Sequence, residues 1–564
     1  MKRLRYYIAS LVSVALVASC SLEETTYTEI EKDKYMTSSA EAENVLLGVY
    51  RNLVEEGMYR YNLSLLFTIP SDIARCEGTT TDNYRIVPSN AYTAVQSDVE
   101  ITWAALYNAV YDANDFIKEL SLKVDSFEED DKTEAAVYMA EARALRALFY
   151  FELVRWFGHI TLMTDPDESY KHPSEFTQTD PVEVYEFIEK DLLYAIDVLP
   201  YASDDNIRSS NSFRFSKGAA LGLLTKVYAT WAGYPVHDES KWEAAAKTAK
   251  ILVESGKHHL NEGSADTPGF EQLWYNTCNG IWEPGESLIE VSFYAPSVTG
   301  TAANDPVGRI GKWNGVTATG IRGVRNAGNW KVIPPFLAGW KDRDNDLRFR
   351  LSFADWRYTS EGKDPLGRKD LPFEDALLPD AADDLKSSFN NILTPAKWDT
   401  EKYVEDANYL IDQNMSNINW YILRYADVLL LYAEALNEWH KAPTSEAYEA
   451  VNMVRRRGFG LPVNTASSTA DLPTGLSYED FQQAVRDERS YELAFEGHRR
   501  QDLIRWGIYY ETVRATAQDM ADWSENGANY YICARYTQKN KHELLPIPQR
   551  DIDLMPLYDQ NPGW

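Results

Sequence analysis

From about Ser39 onward, apolar residues recur at steps of three and four, the spacing that lines one face of an α-helix. One long helix is predicted over about Val99 to Leu120, where Trp103, Leu106, Tyr107, Val110, Tyr111 and Asn114 share a face. A second runs from about Lys132 to Phe157 through Ala142, Leu145, Leu148, Phe149, Leu153 and Trp156, and stops at Gly158. Further helices are predicted at Val182 to Leu199, Ser216 to Trp231, Lys241 to Glu254, Ile422 to Glu438, Ser445 to Arg456 and Tyr478 to Phe495. Several form pairs that mix small and large residues. Leu221, Leu224, Tyr228 and Ala229 precede Trp242, Ala245 and Ala249; Leu429, Leu431, Tyr432 and Ala433 precede Tyr448, Ala450 and Val451. Each pair spans roughly 30 to 35 residues, the size of a tetratricopeptide unit, so TPR-like antiparallel packing is expected. Trp103, Trp156, Trp231, Trp420 and Trp506 lie on helical patterns and are assigned to the core.

Between Ser255 and Asn417 this periodicity fades. Glycines are frequent, helical runs are few, and Trp274, Trp282, Trp313, Trp330, Trp340, Trp356 and Trp398 are spread through the stretch. A similar irregular segment, Ser71 to Asp98, separates the first helices. Loops held on a rigid helical scaffold are where binding residues concentrate. Aromatic residues make up 13% of the chain, with 16 Trp and 36 Tyr; such a surplus hints at a stacking surface, since Trp and Tyr pair a flat apolar face with a polar handle. Asp342, Asp344 and Asp346 alternate as in a calcium loop but lack its glycine and distal Glu, so they read as a solvated turn rather than a metal site.

The first residues carry a different pattern. Lys2, Arg3 and Arg5 precede an apolar run from Tyr6 to Val17, and Ala18-Ser19-Cys20 follows, the layout of a secretory signal. The run is well short of the ~20 residues that cross a bilayer as a helix. Small residues ending in Cys20 resemble a lipobox, in which the cysteine is acylated and anchors the mature chain; the plainer alternative is an ordinary cleaved signal with an incidental cysteine. Several acyl chains anchor firmly at ~0.8 kcal/mol per buried CH₂. The net charge of −30 argues against nucleic acid, which needs a basic surface. Cys76, Cys278 and Cys533 are too dispersed for a zinc site, although an exported chain could join two of them.

Near the C-terminus, Arg486 to Gly507 reads R-x-E-R-x-x-E-L-x-F-E-G-x-R-x-x-D-L-x-R-W-G. On a helix, Arg489, Glu492 and Glu496 share a face, so the run reads first as an ionic lattice tying a helix end and the next short helix to the body. The same run closely resembles the SusD/RagB family of Bacteroidota outer-membrane lipoproteins. Trp103 to Asn114, Ala140 to Gly158, Leu423 to Glu438, Val451 to Gly458 and Leu545 to Trp564 fit that pattern too, and Glu23 and Glu24 look like the acidic stretch such lipoproteins use for surface export. The resemblance implies a mainly α fold of four TPR-like helix pairs supporting an irregular, loop-rich region with a few short strands. On this reading residues 1–19 are signal, 20–38 acylated tether and 39–564 a single domain, its scaffold at 39–255 and 418–564 and its ligand region at 71–98 and 256–417. It further implies a SusC-like TonB-dependent transporter as partner, a cell-surface location, no cofactor, and capture of oligosaccharide, or of peptide in the RagB branch, without cleavage.

Carried onto this chain, the family's ligand loops fall at about Arg75 to Gln96 and Tyr294 to Trp330. A sugar ring needs flat aromatics for its C–H face and polar groups for its hydroxyl rim. Tyr84 and Tyr92 are the candidate platforms in the first stretch, with Arg75 and Asn83 as polar partners. In the second, Trp313 and Trp330 sit among glycines that let a backbone approach, with Tyr294 and Asn329 as neighbours. For each residue the plainer role is a half-buried loop anchor. A glycoside hydrolase is the enzymatic rival, since it needs only two carboxylates about 5 to 10 Å apart; nucleophile-elbow, HExxH and P-loop patterns are absent from the sequence.

Overall fold

The computed structural model describes residues 35–78, 80–211, 213–294, 307–321, 324–365, 372–409 and 415–564. Cys20, the leader and most of the tether lie outside the described residues. Ser38 opens the first helix, Ser39–Arg51, by accepting the Glu41 N–H on its side chain. Asp180, Ser216, Thr444 and Ser477 cap later helices in the same way, each satisfying a backbone donor that would otherwise lack a partner.

The helices form a row in chain order. Ser97–Lys123 packs on Glu129–Phe157, which packs on Pro181–Val198, followed by Lys217–Ala232 and Lys241–Glu254. The next member of the row, Tyr425–His440, lies some 170 residues further on and is followed by Ser445–Gly458 and Tyr478–Glu492. The whole loop-rich stretch therefore emerges between two neighbouring scaffold helices. Small side chains allow the close approach: Ala219, Ala229, Ala245 and Ala249 have no solvent exposure. Gly222 lets Lys217–Ala232 lie against the buried strands Ser287–Val291 and Trp420–Arg424, since a Cβ there would meet the side chains of Leu288 and Leu423 at 2.9 Å.

Most helix boundaries fall within a few residues of the periodic pattern. Two differ for identifiable reasons. Trp420–Arg424 is a fully buried strand paired antiparallel with Ser287–Val291, so the helix expected from Ile422 begins at Tyr425; a short apolar run does not distinguish strand from buried helix. The helix expected to reach Phe495 ends at Glu492, because Phe495 and Gly497 take left-handed φ values of 66° and 82° that turn the chain back.

The signature is an ionic lattice, but its partners come from across the molecule. Glu492 is held by Arg424 at 2.6 Å, Arg348 at 3.0 Å and Arg457, and Glu496 by Arg424 and Lys397, both at 2.7 Å. Arg489 turns away from Glu492, to Asp427 at 2.7 Å and Asp502 at 3.0 Å. Arg505 meets Glu434 at 2.6 Å. Burial alone would raise the Glu492 carboxyl, yet the charges of Arg457, Arg424 and Arg348 hold it far below the usual range.

The loop-rich stretch also supplies core. Trp274, Trp330, Trp340 and Trp398 are buried, and Trp398 stacks on Trp420 with centroids 5.3 Å apart. Trp103, Trp156, Trp231 and Trp420 are buried as expected, while Trp506 is half-buried and donates its indole N–H to Glu434. Asp346 departs from the solvated-turn reading: it is buried, caps Leu347–Ser352 and accepts from Arg348 and Trp340. Cys76, Cys278 and Cys533 are buried, unpaired thiols. Among the described residues no cluster of metal-ligating side chains occurs, and no helix is long and apolar enough to cross a membrane.

Candidate functional site

A two-stranded pairing joins the two irregular stretches. Ala74–Cys76 runs antiparallel to Trp330–Val332, with Cys76 opposite Trp330, and the Glu77 N–H donates to the Asn329 carbonyl at 2.9 Å. The turn carrying Trp313 is fastened to the same strand, since the Trp330 N–H donates to the Trp313 carbonyl at 3.1 Å. The short helix Asn83–Ile86 lies beside this junction and presents Tyr84 to Trp313.

The result is a half-buried aromatic cluster. Trp313 meets Tyr84 and Tyr61 edge-on, each with ring centroids 5.2 Å apart. The Arg309 guanidinium lies 4.2 Å from the Tyr61 ring centre and 5.6 Å from that of Trp313, and it pairs with Glu56 at 2.6 Å. Arg85 sits 4.8 Å from the Tyr84 ring centre and pairs with Asp82. Tyr84 and Trp313 are both partly exposed, and Asn83 beside them is exposed. Apolar ring surface bordered by guanidinium donors and carboxylate acceptors can bind a ligand that has C–H faces and hydroxyls. Desolvation raises the Tyr84 and Tyr61 phenols, so both remain protonated donors at neutral pH.

The sequence candidates divide sharply. Tyr84, Trp313 and Asn83 fall at this cluster. Tyr294 is 59% exposed on the edge of segment 295–306, outside the described residues, and neighbours Tyr409. The other four are structural. Tyr92 is no open platform: it is buried, stacked on Trp564 at 5.0 Å and edge-on to His542. Arg75 is buried and donates to the Asn390 carbonyl and the Asn391 side chain, both at 2.7 Å; burial pulls its guanidinium down to about 10. Trp330 and Asn329 are buried in and beside the strand pair. The glycines near Trp313 serve the protein's own backbone, because a Cβ on Gly315 would lie 2.6 Å from the Trp398 carbonyl oxygen.

Sequence reasoning missed Tyr61, Arg309, Arg85 and Glu56. Arg309 lies between Gly308 and Gly311 within the Tyr294 to Trp330 loop, so its position is legible in the sequence. Tyr61 is not legible there, since it belongs to a stretch before the loop and arrives only through folding.

Comparison with known proteins fits this architecture. A family model described as "SusD family" matches residues 338–564, and one described as "Starch-binding associating with outer membrane" matches residues 26–229. The crystal structure of a SusD homolog from Bacteroides thetaiotaomicron is 54% identical, with a TM-score of 0.87, over 96% of this chain and 99% of that one. A SusD-like protein of Formosa agariphila is 25% identical over 97% of each chain. A structure named as a laminarin binding SusD-like protein shares the fold, with a TM-score of 0.63 at 23% identity over 93% of this chain and 99% of its own. With its scaffold, its C-terminal signature and a 54% identical relative spanning nearly its full length, this chain belongs to the SusD family.

Proposed function

We propose that this protein is a glycan-binding lipoprotein of the outer membrane that captures an oligosaccharide and passes it, uncleaved, to a SusC-like TonB-dependent transporter. The observation that carries the reading is the Tyr61–Trp313–Tyr84 cluster with its Arg309–Glu56 rim, placed where two irregular stretches meet on a rigid scaffold. Two fold relatives, a laminarin binding SusD-like protein and a surface glycan-binding protein from Bacteroides thetaiotaomicron, support a saccharide over a peptide. Cys20 after the apolar leader supports acyl anchoring, and Glu23 and Glu24 behind it support export to the cell face. In the cluster the Glu56 carboxylate is engaged with Arg309, which suits binding better than proton transfer.

Affinity electrophoresis of the mature chain carrying Cys20→Ala, in gels containing neutral polysaccharides, tests the reading. Retardation that Tyr84→Ala abolishes supports it. Retention of peptides with no retardation by any glycan would move the protein to the RagB-type alternative, and new reducing ends would make it an enzyme.

A further inference from the structure

The last residues of the signature build something beyond the lattice. The Arg505 carbonyl accepts the Tyr234 N–H at 2.8 Å. Gly507, at φ 70°, leaves room for the Tyr234 ring, because a Cβ there would sit 2.6 Å from Cδ2. Tyr234 stacks on His237 with centroids 4.3 Å apart and planes 13° from parallel, yet stays 47% exposed. Tyr234 borders a cavity of about 420 Å³ whose other walls include Pro235, Ile504, Lys539, Glu543 and Leu544. Lys539 pairs with Glu511 on the cavity wall. One Glu543 carboxylate oxygen is shielded from solvent and accepts no hydrogen bond from the protein.

We propose that this cavity is a second saccharide site, taking one or two uncharged sugar rings; it rests on the glycan-binding reading. The volume lies within the range of roughly 300 to 1,000 Å³ typical of small-molecule sites. A ring fixed through the backbone and stacked on a second ring is pre-organised, so little side-chain entropy is lost when a sugar face covers it. The walls offer donors, Lys539 and Lys541, beside acceptors, Glu511 and Glu543. Sugar hydroxyls satisfy both kinds, and because the two ammonium groups balance the two carboxylates the wall suits an uncharged ligand. The cavity is bounded by loops and helix ends and presents no strand edge on which a peptide could add.

Two contacts on one receptor strengthen retention of a long chain more than of a short one, because the second contact forms at high effective concentration. The test uses the mature chain carrying Cys20→Ala, with a panel of neutral polysaccharides that includes starch and laminarin, and their hexasaccharides. Tyr234→Ala is expected to reduce polysaccharide retention by about five- to tenfold while hexasaccharide affinity measured by calorimetry stays unchanged. Tyr234→Phe, which keeps the ring, should behave as wild type, and Tyr84→Ala should weaken both. Unchanged polysaccharide retention in Tyr234→Ala, or an equal loss for polymer and hexasaccharide, would overturn the second site and leave glycan binding standing. Absence of retention by the unsubstituted site in every gel would overturn the glycan reading itself, and the second site with it.

Discussion

Arg424 and Glu496 are joined by two parallel hydrogen bonds, Nε to Oε2 at 2.7 Å and Nη2 to Oε1 at 2.9 Å, and both side chains are sealed from solvent. Arg424 is the last residue of the strand that leads into Tyr425–His440, and Glu496 follows the signature helix, so this fork joins two scaffold segments, while the same strand's pairing with Ser287–Val291 ties in the loop-rich region.

Glu496→Ala is expected to destabilise the protein by about 3 to 5 kcal/mol, because it removes the carboxylate shared by two buried cations and leaves Lys397 with the Glu492 carbonyl in place of an ion pair. Arg424→Lys should also be costly, since an ammonium cannot reproduce the fork or reach Glu286 as well. Denaturant unfolding of the two variants checks both; a cost below about 1 kcal/mol, typical of an exposed pair, would show that the lattice is not dry.

The lattice also predicts a pH effect. Burial, reinforced by the Lys226 ammonium, pushes the His498 imidazole down to about 3, and Lys226 donates to its Nδ1 at 2.9 Å. An unfolded histidine takes up its proton near pH 6.5. Between those values the unfolded chain binds more protons, so the His498 contribution is complete above about pH 6.5 and is lost as pH falls toward 3. Glu290, raised to about 7 by burial, acts with the opposite sign over part of the window. Melting temperatures of His498→Gln between pH 7.5 and 4.5 should therefore fall less steeply than those of the wild type; parallel curves would remove His498 from the account.

Tyr84 and Trp330 should separate binding from folding. Tyr84→Ala removes a half-exposed ring and is expected to cost glycan affinity of about 1 to 3 kcal/mol with little change in melting temperature. Trp330→Ala opens a cavity in the strand pair and is expected to cost about 3 to 5 kcal/mol of stability. Trp313→Ala should do some of both, since the half-buried ring packs edge-on against Tyr61 and Tyr84 and also forms part of the cluster's open surface. Calorimetric titration beside thermal melts distinguishes the three; loss of binding in a stably folded Trp330→Ala would return that residue to the site.

Cys20→Ala should release the protein from the outer membrane fraction and impair uptake, while glycan binding by the purified chain is retained. Membrane fractionation with growth on the cognate glycan measures both. Retention in the membrane fraction would point to anchoring other than through acyl chains.

Periodicity along the chain was enough to place most scaffold helices, because a helix must bury one face and its apolar residues must then recur about every 3.6 positions. The signature was legible for a related reason: charges spaced along one short run imply a lattice, and the lattice is there. Where the runs were short, as at Trp420–Arg424, an apolar segment buried on both sides gave no period to read. Tyr84 and Trp313 belong to two separate loops in the sequence, and the structure sets their ring centroids 5.2 Å apart.

Exposure, in contrast, was decided only in three dimensions. Tyr92 and Tyr84 are the same residue type in the same loop, yet one is closed off by Trp564 from the far end of the chain and the other faces outward. Tyr61, Arg309 and the Tyr234 cavity likewise depend on contacts between segments hundreds of residues apart or on a single glycine that makes room. A sequence specifies which residues can pack; which aromatic face remains open to a ligand depends on what the rest of the chain places over it.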